Sequence, residues 1–312
     1  MDCLTLGEPL ICFDSGDEPL DAVATVRKYA VGAESNVAIG LARLGHRVGY
    51  LGRVGRDTLG REIARTLRGE GVDISGLVET ASAATGVLLK ERLADGRTEV
   101  TYHRAASAGS TLDVADLPTD LTGVRRLHIT GITLVLSDTA RDAALEMMRR
   151  ARAAGARVSL DANFRSKLAP ASALVETFEH AASLADEVLL GRREAAVCAG
   201  SDDDDDLAEY ARSLPVETVV VKGARGGAVA YAAGTRTEAA PTPATVVDPV
   251  GAGDAFAVGF LHVLLNDGPL DEALACGSRI AARVIARRGD YQGLPYPQEL
   301  AAPAHSGSGV TR

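Results

Sequence analysis

"DPVGAGDAFAVGF", residues 248–260, decides how this chain is read. Three small residues, Gly251, Ala252 and Gly253, stand directly before an acid, Asp254, and apolar residues follow at helical spacing through Leu265. A helix therefore begins at this point. The first N–H groups of a helix have no partner inside it and carry the positive end of its dipole. Glycines let an anion approach those groups closely, so the stretch can hold a phosphate or a phosphoryl group in transfer. Asp254 would repel such an anion. Its useful chemistry is to take a proton from an attacking hydroxyl, or to align it. The plain alternative is a glycine-rich turn whose acid sits near the helix start for dipole reasons.

The 312 residues are enough for one large α/β domain or two small ones. Hydrophobic residues at 46% and charged residues at 24% are ordinary for a soluble globular chain. A net charge of -9 leaves no electrostatic footprint for nucleic acid or an anionic membrane, so an anionic ligand must find a local positive site. No stretch is long and apolar enough to span a bilayer. The opening "MDCLTLGEPLICF" lacks a basic region, and Glu8 interrupts its apolar run, so it does not read as a signal peptide. Cys3, Cys12, Cys198 and Cys276 form no C-x-x-C pair and read as free thiols of a cytoplasmic protein.

Strand and helix patterns alternate along the chain. "CLTLGE", "RVGYLGRV", "RRLHIT", "ARVSLDAN", "DEVLLG" and "TVVVKG" read as strands. "ESNVAIGLARLG", "TLGREIARTLRGEG" and "SDTARDAALEMMRRARAAG" read as helices, the last with Ser137 or Asp138 as its N-cap and Gly155 at its end. "PATVVD" reads as strand-like ahead of the helix at Gly251. The alternation predicts an α/β fold, a three-layer α/β/α sandwich around a mainly parallel sheet. Two segments, about 9–31 and 84–105, show period-2 character with no helix between strands, the second turning at Asp95-Gly96. They are expected to form a small projecting β-sheet, a lid, inserted in one domain over residues 1–302. Residues 303–312 are expected to be a disordered tail. The run "SDDDDDL", 201–207, reads as a solvated lead into a helix at "LAEYARSL"; it lacks the spacing of a calcium loop.

"DPVGAGDAF" resembles the C-terminal motif of ribokinase-like carbohydrate kinases, the phosphofructokinase B-type family, with Pro249 where that family usually has Thr. "VGAESNVAIGLARLGHRVGYLGRVGRDTLG", residues 31–60, is similar to its N-terminal motif. The resemblance covers roughly residues 4–300. It implies a ribokinase-like fold, ATP and Mg2+ as cofactors, and phosphorylation of a sugar hydroxyl. By matched position Asp254 is the catalytic base, and Gly251, Ala252 and Gly253 form the anion hole. Gly32, Ala33, Glu34 and Asn36 lie where the family binds its sugar. "VKGARGG" matches a nucleotide loop whose glycines, Gly223 and Gly226, let the backbone pass close to ATP, with Lys222 or Arg225 near phosphates or simply solvated. "GRREA" matches the family's Asn-x-x-Glu, with Glu194 present and Gly191 replacing Asn, so Glu194 would reach magnesium through water.

The sugar is read from two arginines. Tyr102 and Arg104 end the lid hairpin, and Asn163 and Arg165 follow a strand's C-terminal end, where open α/β sheets bind ligands. An arginine fork matches a carboxylate, which favours a sugar acid. Either arginine could instead pair with a protein carboxylate, and Arg165, like Asn163, could contact ATP. "YHR", "SAGS", "NFR" and "RRGDYQGLPY" together look like 2-keto-3-deoxygluconate kinases, in which the matched Tyr102, Arg104, Arg165 and Asp290 face substrate. Leu88 stands where those enzymes often have a tyrosine. Neutral-sugar kinases of the same fold, such as fructokinases or ribokinases, and a non-catalytic sugar-binding regulator are the alternatives. The partners expected are the sugar acid, ATP and, through unpaired lid edges, further copies of the chain.

Overall fold

The structure, a computed structural model, describes residues 1–93, 97–224 and 227–301. The expected turn at Asp95-Gly96, the nucleotide-loop residues Arg225 and Gly226, and the expected tail at 303–312 lie outside the described residues. The strands are β1 (Cys3–Leu6), β2 (Leu10–Asp14), β3 (Arg27–Val31), β4 (Val48–Gly55), β5 (Asp73–Thr80), β6 (Val87–Arg92), β7 (Thr98–His103), β8 (Arg126–Thr130), β9 (Arg157–Asp161), β10 (Glu187–Gly191), β11 (Thr218–Ala224), β12 (Gly227–Ala232) and β13 (Thr235–Ala239).

Nine of them form the large sheet, in the order β13-β12-β11-β10-β9-β8-β1-β4-β5. From β5 to β11 every neighbour is parallel, and β12 and β13 add an antiparallel edge. Parallel strands covered on both faces bury nearly every residue. β1 and β8 accordingly have every residue buried. One face is packed by the helices Ala33–Arg43, Thr58–Gly69, Ala252–Leu265 and Leu270–Ile285, through residues such as Val37, Ile63, Phe256 and Ile280. The other is packed by Asp138–Ala153, Ala171–Ala182 and Asp204–Ser213, through Met147, Met148, Phe178 and Leu207.

The helix boundaries have local causes. Ser137 Oγ accepts from the Ala140 N–H at 3.1 Å, and Gly155 at φ 80 follows the far end of that helix. The acidic run begins its helix at Asp204, earlier than "LAEYARSL" implied, because Asp203 caps it through the Asp205 N–H at 2.8 Å. The other aspartates then fill the first turn, where the dipole favours them.

The small sheet has the order β3-β2-β6-β7, all within segments 9–31 and 84–105. β6 and β7 pair antiparallel from Val87–His103 to Arg92–Thr98, as the hairpin reading requires, while β2 and β6 are parallel.

"PATVVD" is not a strand. Val246 and Val247 are exposed, and the N–H groups of Val247 and Asp248 both donate to the Ile285 carbonyl, at 2.8 and 3.1 Å. The segment is held by the end of a helix instead of a neighbouring strand. The β12–β13 hairpin was not anticipated. Its two-residue turn is Ala233-Gly234, with φ 48 and 76, and the alanine hides a turn that asparagine would have announced.

Candidate active site

The helix Ala252–Leu265 is capped by Gly251 at φ 80. A side chain there would be strained, and its Cβ would stand 2.6 Å from the Asp290 carbonyl. Gly251 thus lets the chain turn against Asp290 and aim the first amides of the helix outward. A Cβ on Gly253 would lie 3.5 Å from Lys222 Nζ, so an ammonium stands beside those amides. Dipole, free N–H groups and a lysine converge where an anion would sit.

Asp254, in the first turn, is buried. Asn36 Nδ2 donates to its Oδ2 at 2.8 Å, and Asn163 Nδ2 to its Oδ1 at 3.3 Å. Asn163 adopts φ 41 to make that reach, a conformation asparagine tolerates better than most residues. Burial pushes the Asp254 pKa up to about 7. The Asn36 bond and the positive Arg165 oppose the rise, and Asp161 and Asp290 add to it. A carboxylate poised near neutrality suits proton transfer.

Two clefts meet at this acid. One lies between the small sheet and the ends of the large-sheet strands. It is lined by Gly32, Ala33, Glu34, Asn36, Tyr102, Arg104, Arg165 and Asp290, with Gly251 and Asp254 in its wall. Every residue assigned to the sugar from sequence is therefore in one place. Leu88 joins Leu10 and Val31 as an apolar wall. The second cleft is larger, about 1490 Å³ including its open mouth. It is lined by Asp161, Asn163, Arg165, Gly191, Glu194, Lys222 and Gly223, and again by Gly251–Asp254.

Several side chains are engaged differently from the sequence reading. Arg104 forms a buried ion pair with Glu8, which also accepts from Ser107 Oγ, and it sits over the Tyr102 ring at 5.4 Å. The alternative of an arginine paired to a protein carboxylate is thus realised for Arg104, although it still borders the cleft. Arg165 is exposed, borders both clefts, and has no ion-pair partner among the described residues. Glu34 borders the first cleft, but its Oε1 accepts from Thr130 and Thr133 hydroxyls at 2.6 and 2.7 Å, and burial raises its pKa. Lys222 Nζ donates to Asp161 Oδ2 at 2.6 Å; burial works against its charge, but Asp161 and Glu194 outweigh that and raise its pKa.

Glu194 is committed to two backbone donors, the Phe164 N–H at 2.8 Å and the Gly191 N–H at 2.6 Å. Gly191, the departure from the family pattern, is thereby the partner of the acid it was expected to accompany. Burial raises the Glu194 pKa. Among the described residues no three His, Cys, Asp or Glu side chains gather as a metal site. Asp161 Oδ1 is buried and has no hydrogen-bond partner. That orphaned oxygen beside Glu194 fits a hydrated magnesium ion, which keeps most of its waters and takes few protein ligands.

Glu8, Lys90, Asp161 and Asp248 were not singled out from sequence. For Lys90 a signal existed: alternation along β6 puts it on the same buried face as Leu88. Glu8 stood out only as a charge in an apolar run.

Comparison with known proteins places these features in a family. The description "pfkB family carbohydrate kinase" matches residues 4–297. The chain is 36% identical to the 2-dehydro-3-deoxygluconokinase of Bacillus subtilis (strain 168), over 97% of this chain and 95% of that one. Among solved structures it is similar to a PfkB protein from Polaromonas sp. JS666, with TM-score 0.86, 37% identity, and coverage of 96% and 98%. It is also similar to the aminoimidazole riboside kinase of Salmonella enterica complexed with aminoimidazole riboside and an ATP analog, with TM-score 0.85, 28% identity, and coverage of 96% and 98%.

Proposed function

The chain belongs to the pfkB family of carbohydrate kinases, and from that footing we propose that it transfers the γ-phosphoryl group of ATP to the 6-hydroxyl of 2-keto-3-deoxygluconate, also called 2-dehydro-3-deoxygluconate. The observation that carries this reading is the position of Asp254. It is shared by a cleft under the small sheet and a larger groove along the large sheet, beside a glycine-lined helix start. A base at that junction can face a sugar hydroxyl on one side and a phosphoryl group on the other.

ATP bound in the groove supplies the phosphoryl group, and Mg2+ neutralises part of its charge. The residues of the chain do the rest. Asn36 and Asn163 hold the Asp254 carboxylate, which takes the proton from the attacking hydroxyl. The amides that follow Gly251, with Lys222 beside Gly253, face the phosphoryl oxygens and stabilise charge that develops there. Glu194 and Asp161 are the acids that would meet a hydrated magnesium ion. On the sugar side, Arg165 and the Glu8-paired Arg104 favour a carboxylate-bearing sugar, and Leu88, Leu10 and Val31 give its carbon chain an apolar wall. We place the enzyme in the cytoplasm, as a homo-oligomer joined through the small sheet. Among the described residues the four cysteines are free thiols, and no helix is long and apolar enough to cross a membrane.

A coupled ADP-release assay with ATP and Mg2+ over sugar acids and neutral sugars tests the reading. The expected result is the highest kcat/KM with 2-keto-3-deoxygluconate. A preference for fructose or ribose would replace the acid-sugar assignment by a neutral-sugar one.

A further inference from the structure

Lys90 of β6 is a buried lysine with no part in the reaction as derived above. Its side chain is 5% exposed and borders the sugar cleft. Nζ donates to Asp248 Oδ2 at 2.5 Å and stands 3.6 Å from Asp290 Oδ1. Both acids brace the turn that forms the anion hole. Asp248 Oδ1 accepts from the Val250 N–H at 3.2 Å, and its Oδ2 from the Gly289 N–H at 3.2 Å. The Asp290 carbonyl is the surface against which Gly251 turns. Asp14 and Cys12 also interact with Lys90, Tyr29 stands beside the same acids, and Glu8, Arg104 and Arg165 line the same cleft; among the described residues Lys90 is the cation in ion-pair contact with Asp248 and Asp290. One ammonium therefore serves several acids. It is carried by the small sheet, whereas Asp248 precedes the helix Ala252–Leu265 and Asp290 follows the helix Leu270–Ile285 and lies against Gly251.

We propose that Lys90 is a positioning residue for phosphoryl transfer: its ammonium neutralises Asp248 and Asp290, and so ties the sheet that covers the sugar to the turn that forms the anion hole. Two effects follow from removing it. Asp248 and Asp290 would repel one another and shift the turn they hold. Their uncompensated charge would also oppose the negative charge that develops on the transferred group a few residues away. Seating the sugar and shaping the anion hole are then one event, because a single side chain joins the two structures.

The proposal rests on the kinase reading, and its test is arranged so that the two fail separately. Lys90→Ala, Lys90→Met and Lys90→Arg are made in the full chain. Rates are measured at saturating ATP with 2-keto-3-deoxygluconate, or with whichever panel sugar the parent prefers. Each assay is run with methylammonium chloride and with sodium chloride at the same ionic strength. The expected result is a loss of roughly 10² in kcat for Lys90→Ala, the scale of a catalytic group displaced by a second-layer change. Lys90→Arg should keep most of the rate. Methylammonium, which restores a cation where the side chain was cut away, should recover Lys90→Ala saturably and leave the parent unchanged. Lys90→Met carries the kcat comparison if Lys90→Ala does not fold. The proposal is overturned if the neutral variants turn over within a few-fold of the parent. It is equally overturned if a folded Lys90→Ala loses activity that methylammonium does not recover and Lys90→Arg loses as much, since that pattern marks a purely structural role. A parent that prefers a neutral sugar overturns the substrate reading alone.

Discussion

Replacing Asp254 by asparagine removes the base while keeping the shape of the site, and the structure sets the size and sign of two separate effects. The first is chemical: kcat should fall by ~10²–10⁴, the range for a lost general base. The second concerns stability. Burial pushes the Asp254 pKa from the ordinary 3.8 up to about 7. A carboxyl whose folded pKa is raised stabilises the fold fully below its unfolded pKa, and that contribution is lost as pH rises through the folded pKa. At pH 8 the parent therefore carries a buried carboxylate whose ionisation costs at most ~4 kcal/mol. Asparagine carries no charge. It loses one of two acceptors, so an Asn36 or Asn163 amide goes unpaired at a cost of ~1–3 kcal/mol. Asp254→Asn should consequently melt at or above the parent temperature at pH 8, with the advantage gone near pH 4. The assays are ADP release and thermal melts across that range. In the parent, kcat/KM should fall about tenfold per pH unit on the acid side of its pKa. Turnover of Asp254→Asn within a few-fold of the parent would refute the base assignment. A variant that melts below the parent at pH 8 would refute the account of why the pKa is raised.

Arg104→Leu should raise KM for the sugar acid by about one to two decades, the worth of a charge-assisted hydrogen bond of ~1.5–3 kcal/mol, and leave KM for ATP nearly unchanged. It should also cost ~3–5 kcal/mol in denaturant titration, because Glu8 is left buried and unpaired. Adding Glu8→Gln should restore stability without restoring KM. Arg165→Leu should leave stability unchanged, since the side chain is exposed and has no ion-pair partner among the described residues; a defect confined to KM for ATP would assign Arg165 to the nucleotide. Gly251→Ala should lower stability by ~1–3 kcal/mol through strain at φ 80, and should reduce kcat more than sugar affinity; an alanine variant with parental kcat would show that the turn against Asp290 does not shape the anion hole.

Most of the large sheet could be read from the sequence because its strands are short apolar runs between well-capped helices. The Ser137 cap and the glycine at 155 mark their helix from both ends. The readings failed where long-range structure decides a segment. "PATVVD" has the β-branched residues of a strand, yet its N–H groups meet the end of the helix Leu270–Ile285, more than 35 residues on in the chain, and its valines face outward. The β12–β13 edge was missed for the opposite reason. Its pairing is regular, but its turn rests on an alanine at positive φ, which carries no composition signal.

The site shows a similar division, and charge explains it. The helix start, the acid after it and the residues 32–36 opposite could be found because each is contiguous in sequence and chemically unusual there. The partners could not, because pairing joins residues far apart. Glu8 and Arg104 are separated in sequence by the whole small sheet, and Lys90 and Asp248 by half the chain, yet each acid meets a cation that lines the sugar cleft. Of the cations Lys90, Arg104, Lys222 and Arg165 at the two clefts, the first three are held by protein carboxylates. Counting arginines in the sequence therefore overstates the positive charge offered to a ligand. What remains is the exposed Arg165 at the mouth and a buried set of neutralised pairs behind it. A pocket of that kind would draw an acidic sugar by Arg165 and recognise it by donors already fixed in place. The cost of fixing them is borne by the fold before any ligand arrives. Specificity for the sugar should accordingly be more sensitive to Glu8 and Asp248, which touch no ligand in this account, than their absence from the sequence motifs suggests.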